Sequence, residues 1–461
     1  MKFFFSVMIV GLLITLSWPA NGADIPYDDF SGPYLDGARW WPREYVREVV
    51  DGKLVFKLGN ATGMGAEVSP GRFRNRLPIA NPGIVHTIEA EVSVKEAILD
   101  SASGSMSFAR IFGYFYNAHE TGGAIGDIWA SIMIGDRGNG CLEVFWVVKI
   151  ITMDDPWTDM VLDSGTLIGP EGGLQYGEIY QLKLSYSLTT QGKGLFSFEA
   201  DGRAQSFTGP EKKRDSVSLL KELTVGVYAD NGYDNGYVHA EFDNVYINNV
   251  DYDSFSTPLE LSRWEWLEFV RKPVQGELKA GIQRLGSRGG SRTYIAPQDT
   301  SYIEARVRLA GDNVFSPGGW GEARIRGHFY NDSFGPGSGL EHNGYEGNVF
   351  FKVNVQMDGD GYLKSRAFVS RGNDEDFSAY TVLYNEYFTT PIYLDQEYLL
   401  SARFADNQLI FKCNDEILFY KITTPKYQPY GRYRHGLEAK VWLDPGESGY
   451  VKAFFDDVRI S

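Results

Sequence analysis

The chain is poor in cysteine and histidine, with two and six among 461 residues. Two cysteines are too few for a disulfide scaffold or a Cys-based zinc site. Neither a CxxCH haem attachment nor a GxxxxGK(S/T) phosphate loop occurs. Positive charge is also scarce: 44 Lys and Arg stand against 60 Asp and Glu, a formal net charge of −16. The broad basic surface that nucleic-acid binding needs is missing, so nucleic acid is not an expected partner. Beyond residue 23 no stretch is apolar enough for a membrane span. Long helical periodicity is absent as well. What is abundant is Gly, at 52 residues, and aromatics, at 15%. Together they point to β-structure with many tight turns. Charged residues at 23% and hydrophobic residues at 43% argue against disorder.

Residues 1–23 read as an export signal. Lys2 gives a positive start, Phe3 to Leu16 an apolar core too short for a bilayer, and Pro19 with Ala20-Asn21-Gly22-Ala23 a small-residue cleavage region. No Cys follows the apolar core, which argues against a lipid anchor. The expected location is secreted, periplasmic or cell-surface. Cys141 and Cys413 occupy non-equivalent places in the repeat described next, which favours two separate thiols over a disulfide.

The chain repeats itself once. Arg39-Trp40 through Gly52-Lys53-Leu54 aligns without gaps on Arg263-Trp264 through Gly276-Glu277-Leu278. Tyr27-Asp28-Asp29-Phe30-Ser31 matches Tyr252-Asp253-Ser254-Phe255-Ser256, and 109–117 matches 323–331. The copies close alike, 237–247 against 450–460. The repeat therefore divides the mature chain into 24–249 and 250–461, with no Pro/Ser-rich linker between. Asn139-Gly140, Asp201-Gly202, Asp360-Gly361 and Asn414-Asp415 are hairpin candidates, and Ser216–Leu223 is a candidate short helix. Short alternating segments over more than 200 residues predict two tandem antiparallel β-sandwiches, an all-β fold.

An Asp-Phe lead-in, an early Trp, Gly-Lys-Leu and a closing Ala-x-Phe-Asp-Asn-Val-x-Ile strand resemble the concanavalin A-like lectin/glucanase jelly roll. The resemblance implies two large sheets packed face to face, with carbohydrate or catalysis on the concave one. It also implies a structural calcium between the lead-in and the closing strand. The matching acids are Asp28 with Asp243 in the first copy and Asp253 with Asp456 in the second. Carboxylate oxygens suit Ca²⁺, though each Asp also suits a turn. The loops Asp230–Asn235 and Asp358–Asp360 are further calcium candidates.

Alternation separates the faces of each strand. Ala109, Ile111, Gly113 and Phe115 recur unchanged as Ala323, Ile325, Gly327 and Phe329, and should face the core. The opposite face has diverged. If neighbouring strands share a sheet, the first copy presents Arg110, Tyr114, Trp129 and Glu143. The second presents Arg324, Arg326, His328, Tyr330, Lys352, Lys364 and Arg366. Arg grips carboxylate or sulfate, and aromatics stack on sugar rings, so the second face suits an anionic polysaccharide and the first a neutral sugar. Solvated strands with long side chains are the plain alternative for the second face; for Trp129 with Tyr114 it is an aromatic patch buried under a loop or against the partner domain.

No Glu-x-Asp-x-(x)-Glu strand of retaining glucanases occurs in either copy, and Glu89-Ala90-Glu91 reads as a solvated strand. For a lyase, Arg324 or Arg326 with Asn354 would neutralise a uronate, and His328 or Tyr330 would move its proton. The Arg-Thr-Glu-Leu-Arg-like and Gln-Ile-His runs of jelly-roll alginate lyases are absent. The sequence thus predicts an exported, non-catalytic glycan-binding protein. A polysaccharide lyase or glycoside hydrolase and a structural surface or matrix protein are the alternatives.

Overall fold

The computed structural model describes residues 26–60, 72–99, 105–154, 157–228, 236–296, 298–335, 338–340, 343–431 and 434–461. The export segment 1–23 and the loop 230–235 lie outside the described residues. Within them the chain forms 29 strands and two single-turn 3-10 helices, Pro82–Ile84 and Pro170–Gly172. The fold is all-β, with antiparallel sheets. No helix among the described residues is long and apolar enough to cross a membrane.

Three sheets make up the fold. A six-stranded sheet runs in the order Arg72–Pro78, Lys221–Tyr228, Met106–Asn117, Asp127–Asp136, Leu142–Asp154, Trp157–Ile168. A seven-stranded sheet runs Trp40–Trp41, Gly289–Ile295, His435–Trp442, Trp320–Asn331, Asn348–Asp358, Leu363–Gly372, Tyr380–Tyr387. A 16-stranded sheet backs both. It is continuous because Tyr45–Val50 of the first copy pairs with Phe269–Val274 of the second, Val46 opposite Val270.

The invariant faces pack as their alternation predicts. Ala109, Ile111 and Phe115 enter one hydrophobic core, and Ala323, Ile325 and Phe329 enter a second. Gly327 is glycine because a Cβ there would meet the carbonyl oxygen of Arg434 at 2.6 Å. Asp201 and Gly202, both at positive φ, form the predicted two-residue hairpin between Lys193–Ala200 and Arg203–Glu211. Residues 216–220 are not helical, and 221–223 open the strand Lys221–Tyr228. The amides of Val217 and Ser218 donate to the Asp127 carboxylate at 3.2 and 2.9 Å, which satisfies them without a helix. Both cysteines are free, Cys141 exposed and Cys413 in the second core.

Repeat and packing divide the chain at different places. Phe30, Leu35 and Trp40 lie in the second core, although they precede the first copy's strands. Tyr27 N–H donates to Val458 O at 2.6 Å, and Trp40–Trp41 pairs with Gly289–Ile295. The strap 27–41 therefore closes the second sandwich and lies against its closing strand Ser448–Ile460. The matching segment, with Phe255, Leu259 and Trp264, lies in the first core. The two junctions obey a local pseudo-twofold. Arg47 Nε donates to Leu267 O at 2.9 Å, and Arg271 Nε to Arg43 O at 2.7 Å. Arg47 Nη1 also caps Arg76 O, as Arg271 Nη1 caps Arg292 O, each at 2.9 Å. Buried guanidinium groups that donate to carbonyl oxygens thus pin the crossover on both sides.

Candidate functional site

The face of the seven-stranded sheet turned away from the second core carries a charge cluster. Cross-strand register places Arg292 beside Glu438, Glu438 beside Arg324, Arg324 beside Asn354, and Asn354 beside Arg366. Glu322 and Glu438 are fully buried. Arg324 donates to both, at 2.7 Å to Glu322 Oε1 and 2.6 Å to Glu438 Oε2. Arg326 reaches Glu438 at 2.7 Å, and Lys352 reaches Glu322 at 2.9 Å. Asn354 also donates to Glu322. Burial pushes the Glu322 carboxyl up, but Lys352 and Arg324 outweigh it and hold the group at about 2. Glu438 is likewise held well below its ordinary range against its burial, by Arg324, Arg326 and Arg292. Both acids are ionised at neutral pH. Burial pushes Lys352 down to about 7 and Lys440 down to about 8.

Aromatic rings interleave with these cations. Trp320 and Trp442 stack with centroids 5.5 Å apart and planes 13° apart. Arg288 lies 3.3 Å over Trp442, Lys352 5.5 Å over Trp320, and Lys364 5.4 Å over Tyr387. The buried Nε of Arg366 and Oδ1 of its neighbour Asn354 have no hydrogen-bond partner.

Of the sequence-predicted residues, Arg324, Arg326, Lys352 and Arg366 come together on this sheet. The basic face is not uniformly basic: two carboxylates from the same sheet neutralise its centre, because buried guanidinium groups require partners. Tyr330 does not belong to the face. A register shift between His328 and Tyr330 turns its ring inward, and it is 1% exposed in the second core. The same shift between Tyr114 and Tyr116 buries Tyr116 in the first core. His328 is walled in by Tyr345, Phe350 and Phe377 at 5.4–5.9 Å, and burial pushes it down to about 3, so it is neutral.

In the first copy the residues expected to be exposed are buried. Arg110 pairs with Glu222 at 3.4 Å and lies over the Phe112 ring at 4.5 Å. Tyr114 and Trp129 pack with Phe112 and Ile151 against Ala124 and Leu220, so they form no open sugar platform. Glu143 accepts from Asn139 at 2.6 Å and pairs with Arg137 at 3.6 Å. Glu89 pairs with Lys183 at 3.1 Å on the 16-stranded sheet, as an ordinary strand ion pair. Sequence reasoning missed Trp320, Glu322, Trp442, Lys440, Glu438 and Arg292. Trp320 and Glu322 were reachable, since they continue the alternation of Arg324 and Arg326. The others required the pairing of distant strands.

The four aspartates are not paired within their own copies. Asp28 bridges to Val458 of the second copy's closing strand, and Asp253 faces Val245 of the first. Both oxygens of Asp28 accept N–H groups, from Phe30 at 2.8 Å and Trp40 Nε1 at 2.5 Å. Asp253 does the same with Phe255 and Trp264 Nε1, at 2.8 and 2.7 Å. Asp243 and Asp456 each accept the next residue's N–H at 2.7 Å. Asp358 accepts the amides of Asp360 and Tyr362 in a turn. Among the described residues no group of three or more His, Cys, Asp or Glu is placed to hold a metal ion. At Asp28 and Asp253 both carboxylate oxygens are engaged by indole and backbone N–H groups.

The architecture is thus an antiparallel β-sandwich arrangement, twice built, with one charged and one aromatic face. No family model and no curated protein matches the chain. Three solved structures illustrate what it is similar to. An alginate lyase from Klebsiella pneumoniae is 17% identical over 43% of this chain and 82% of its own, TM-score 0.27. An endo-β-1,4-glucuronan lyase from the fungus Trichoderma reesei is 15% identical over 46% and 90%, TM-score 0.29. Domains LG4-5 of the mouse laminin α1 chain are 9% identical over 86% and 92%, TM-score 0.22. The sandwich assignment rests on the strand pairings and the two cores.

Proposed function

We propose that the protein is an exported, non-catalytic glycan-binding protein whose seven-stranded sheet holds an anionic polysaccharide. One observation carries the reading. Arg292, Arg324, Arg326, Lys352, Lys364, Arg366 and Lys440 stand on this face against Glu322, Glu438 and the strand-end Asp358. The local excess is four positive charges on a chain of net charge −16. Trp320 and Trp442 stack on each other, and Tyr387, 46% exposed, offers flat apolar surface to sugar rings. The paired Arg324 and Lys352 form the floor, while Lys364 and Arg366 with these rings face the polymer. A binding role is favoured over hydrolysis because both buried glutamates are held ionised, which leaves neither as a proton donor. It is favoured over elimination because Tyr330 is in the core and His328 is walled in.

The test is binding of alginate, pectate, a sulfated glycan and a neutral β-glucan to the full chain by calorimetry. The acidic polymers should bind and the neutral one should not. Arg366→Ala with Lys364→Ala should weaken binding about tenfold, whereas Lys183→Ala on the 16-stranded sheet should leave polymer affinity unchanged. Affinity should fall between pH 6 and pH 9 as Lys352 and Lys440, held at about 7 and 8, lose their charge. No affinity for any glycan overturns the reading, and unsaturated uronate product accumulating by ultraviolet absorbance overturns its non-catalytic part.

A further inference from the structure

The equivalent face of the first sandwich is built differently and holds a cleft of about 690 Å³. We propose that this cleft is a second binding site, for a single six-membered ring bearing one carboxylate. Its volume falls in the range of sites for small ligands, not of flat polymer platforms. Its walls include the rings of Trp129, Phe145, Trp146 and Tyr228, three of them capped by a cation. Lys149 lies 5.1 Å over Trp129, Arg137 5.2 Å over Phe145, and Arg74 5.5 Å over Tyr228. Lining cations outnumber lining acids, with Asp159 the acid, and it is bonded to Lys149 at 2.9 Å.

The floor supplies the second, independent observation. Arg110 is 2% exposed and Ser131 fully buried, and both line the cleft. Arg110 Nε and Ser131 Oγ have no hydrogen-bond partner. A buried donor left unmade costs about 1–3 kcal/mol, so two beside one cleft mark a place built for an acceptor. A carboxylate offers acceptor oxygens to a guanidinium and a hydroxyl at once, and its charge suits the surplus of cations. The ring behind it would meet the edges of Trp129 and Phe145, whose faces Lys149 and Arg137 cover. The second sandwich lacks this arrangement, because Lys352 and Asn354 replace Ser131 and Met133 and fill the floor with ions.

A hexuronic acid and an aromatic acid share this chemistry, and the experiment separates them. Glucuronate, 4-hydroxybenzoate, glucose and 4-hydroxybenzyl alcohol are titrated into the full chain, read by tryptophan fluorescence and calorimetry. The carboxylates should saturate and the neutral partners should not, and the tighter of the two acids names the source. Arg110→Lys keeps the charge without the planar fork and should weaken binding about tenfold. Ser131→Ala should weaken it about threefold. Should Arg110→Lys fail to fold, Arg74→Ala at the rim replaces it, with a loss of about threefold expected. Arg366→Ala should leave this affinity intact while it weakens polymer binding, so the two sites fail independently. Equal binding of neutral and acidic rings, insensitivity to Arg110, Ser131 and Arg74 alike, or no saturation by about 10 mM overturns the proposal.

Discussion

The two sandwiches share a framework and differ on one face of it. Phe108, Phe112, Tyr114, Ser131, Met133, Glu143 and Phe145 of the first correspond in register to Glu322, Arg326, His328, Lys352, Asn354, Lys364 and Arg366 of the second. The arginine at 110 and 324 is common to both. Its carboxylate partner is not: Glu222 serves Arg110, while Glu438, two residues along the equivalent strand, serves Arg324. The requirement for a partner survived divergence even where its position did not. Removing one charge of a buried pair is costly, so the partner must move within reach rather than vanish. The core faces carry no such freedom, because Ala109, Ile111 and Phe115 must fill the same volume as Ala323, Ile325 and Phe329.

The sharpest way to break this comparison is to remove the shared requirement. Glu438→Gln takes one of the two carboxylate partners from buried Arg324, which keeps Glu322, and removes the partner of Arg326 and of the part-exposed Arg292; it should cost about 3 kcal/mol of stability. Glu222→Gln frees Arg110 and Arg76, the latter part-exposed, and should cost less. Urea unfolding of both variants decides, and equal or reversed losses would show that the second cluster is no more dependent on its acid than the first.

Acid should separate the sandwiches next. Burial pushes His328 and His435 down to about 3, so in the folded state both are neutral. The unfolded state takes up their protons near the ordinary 6.5. Their stabilisation is therefore complete above that pH and falls as pH drops toward 3, by about 1.4 kcal/mol per pH unit for each. His239, pushed down to about 4, acts in the same sense on the first sandwich. Glu44 opposes it: burial pushes its carboxyl up to about 7, so its contribution is full below the ordinary 4.5 and is lost as pH rises through 7. Between pH 6.5 and 5 the second sandwich should lose more stability. His435→Phe should flatten that slope and Glu44→Gln should not, and unfolding midpoints at pH 7.5, 6.5 and 5 read both.

The smallest effect should come from chelation. Asp28 and Asp253 are engaged by the same indole and amide donors in both sandwiches. EDTA should leave the melting temperature unchanged, and a fall restored by calcium would overturn this account of the aspartates.

Much of the fold was legible from residue pattern. Period-two alternation assigned the core faces of 109–115 and 323–329, and Asp201-Gly202 marked its own hairpin. The aromatic lead-ins showed that each copy needs one, but not which sandwich each would close. The site was half legible: Arg324, Arg326, Lys352 and Arg366 were found from alternation, while Tyr330 was misplaced by a single shift in register. A one-residue bulge reverses every face beyond it, and no residue type at 328–330 announces one.

The sequence alone determined an all-β antiparallel fold and the repeated core faces of 109–115 and 323–329, because alternation and turn residues act within a few positions. Tertiary structure decided three other matters: that the N-terminal strap closes the second sandwich, that one sheet runs through both copies, and that the basic face is neutralised at its centre. Each depends on partners far apart in the chain, Tyr27 with Val458, Val46 with Val270, and Arg324 with Glu438. Local pattern carries no information about which distant strand arrives alongside, and charge has meaning only once its neighbours are known.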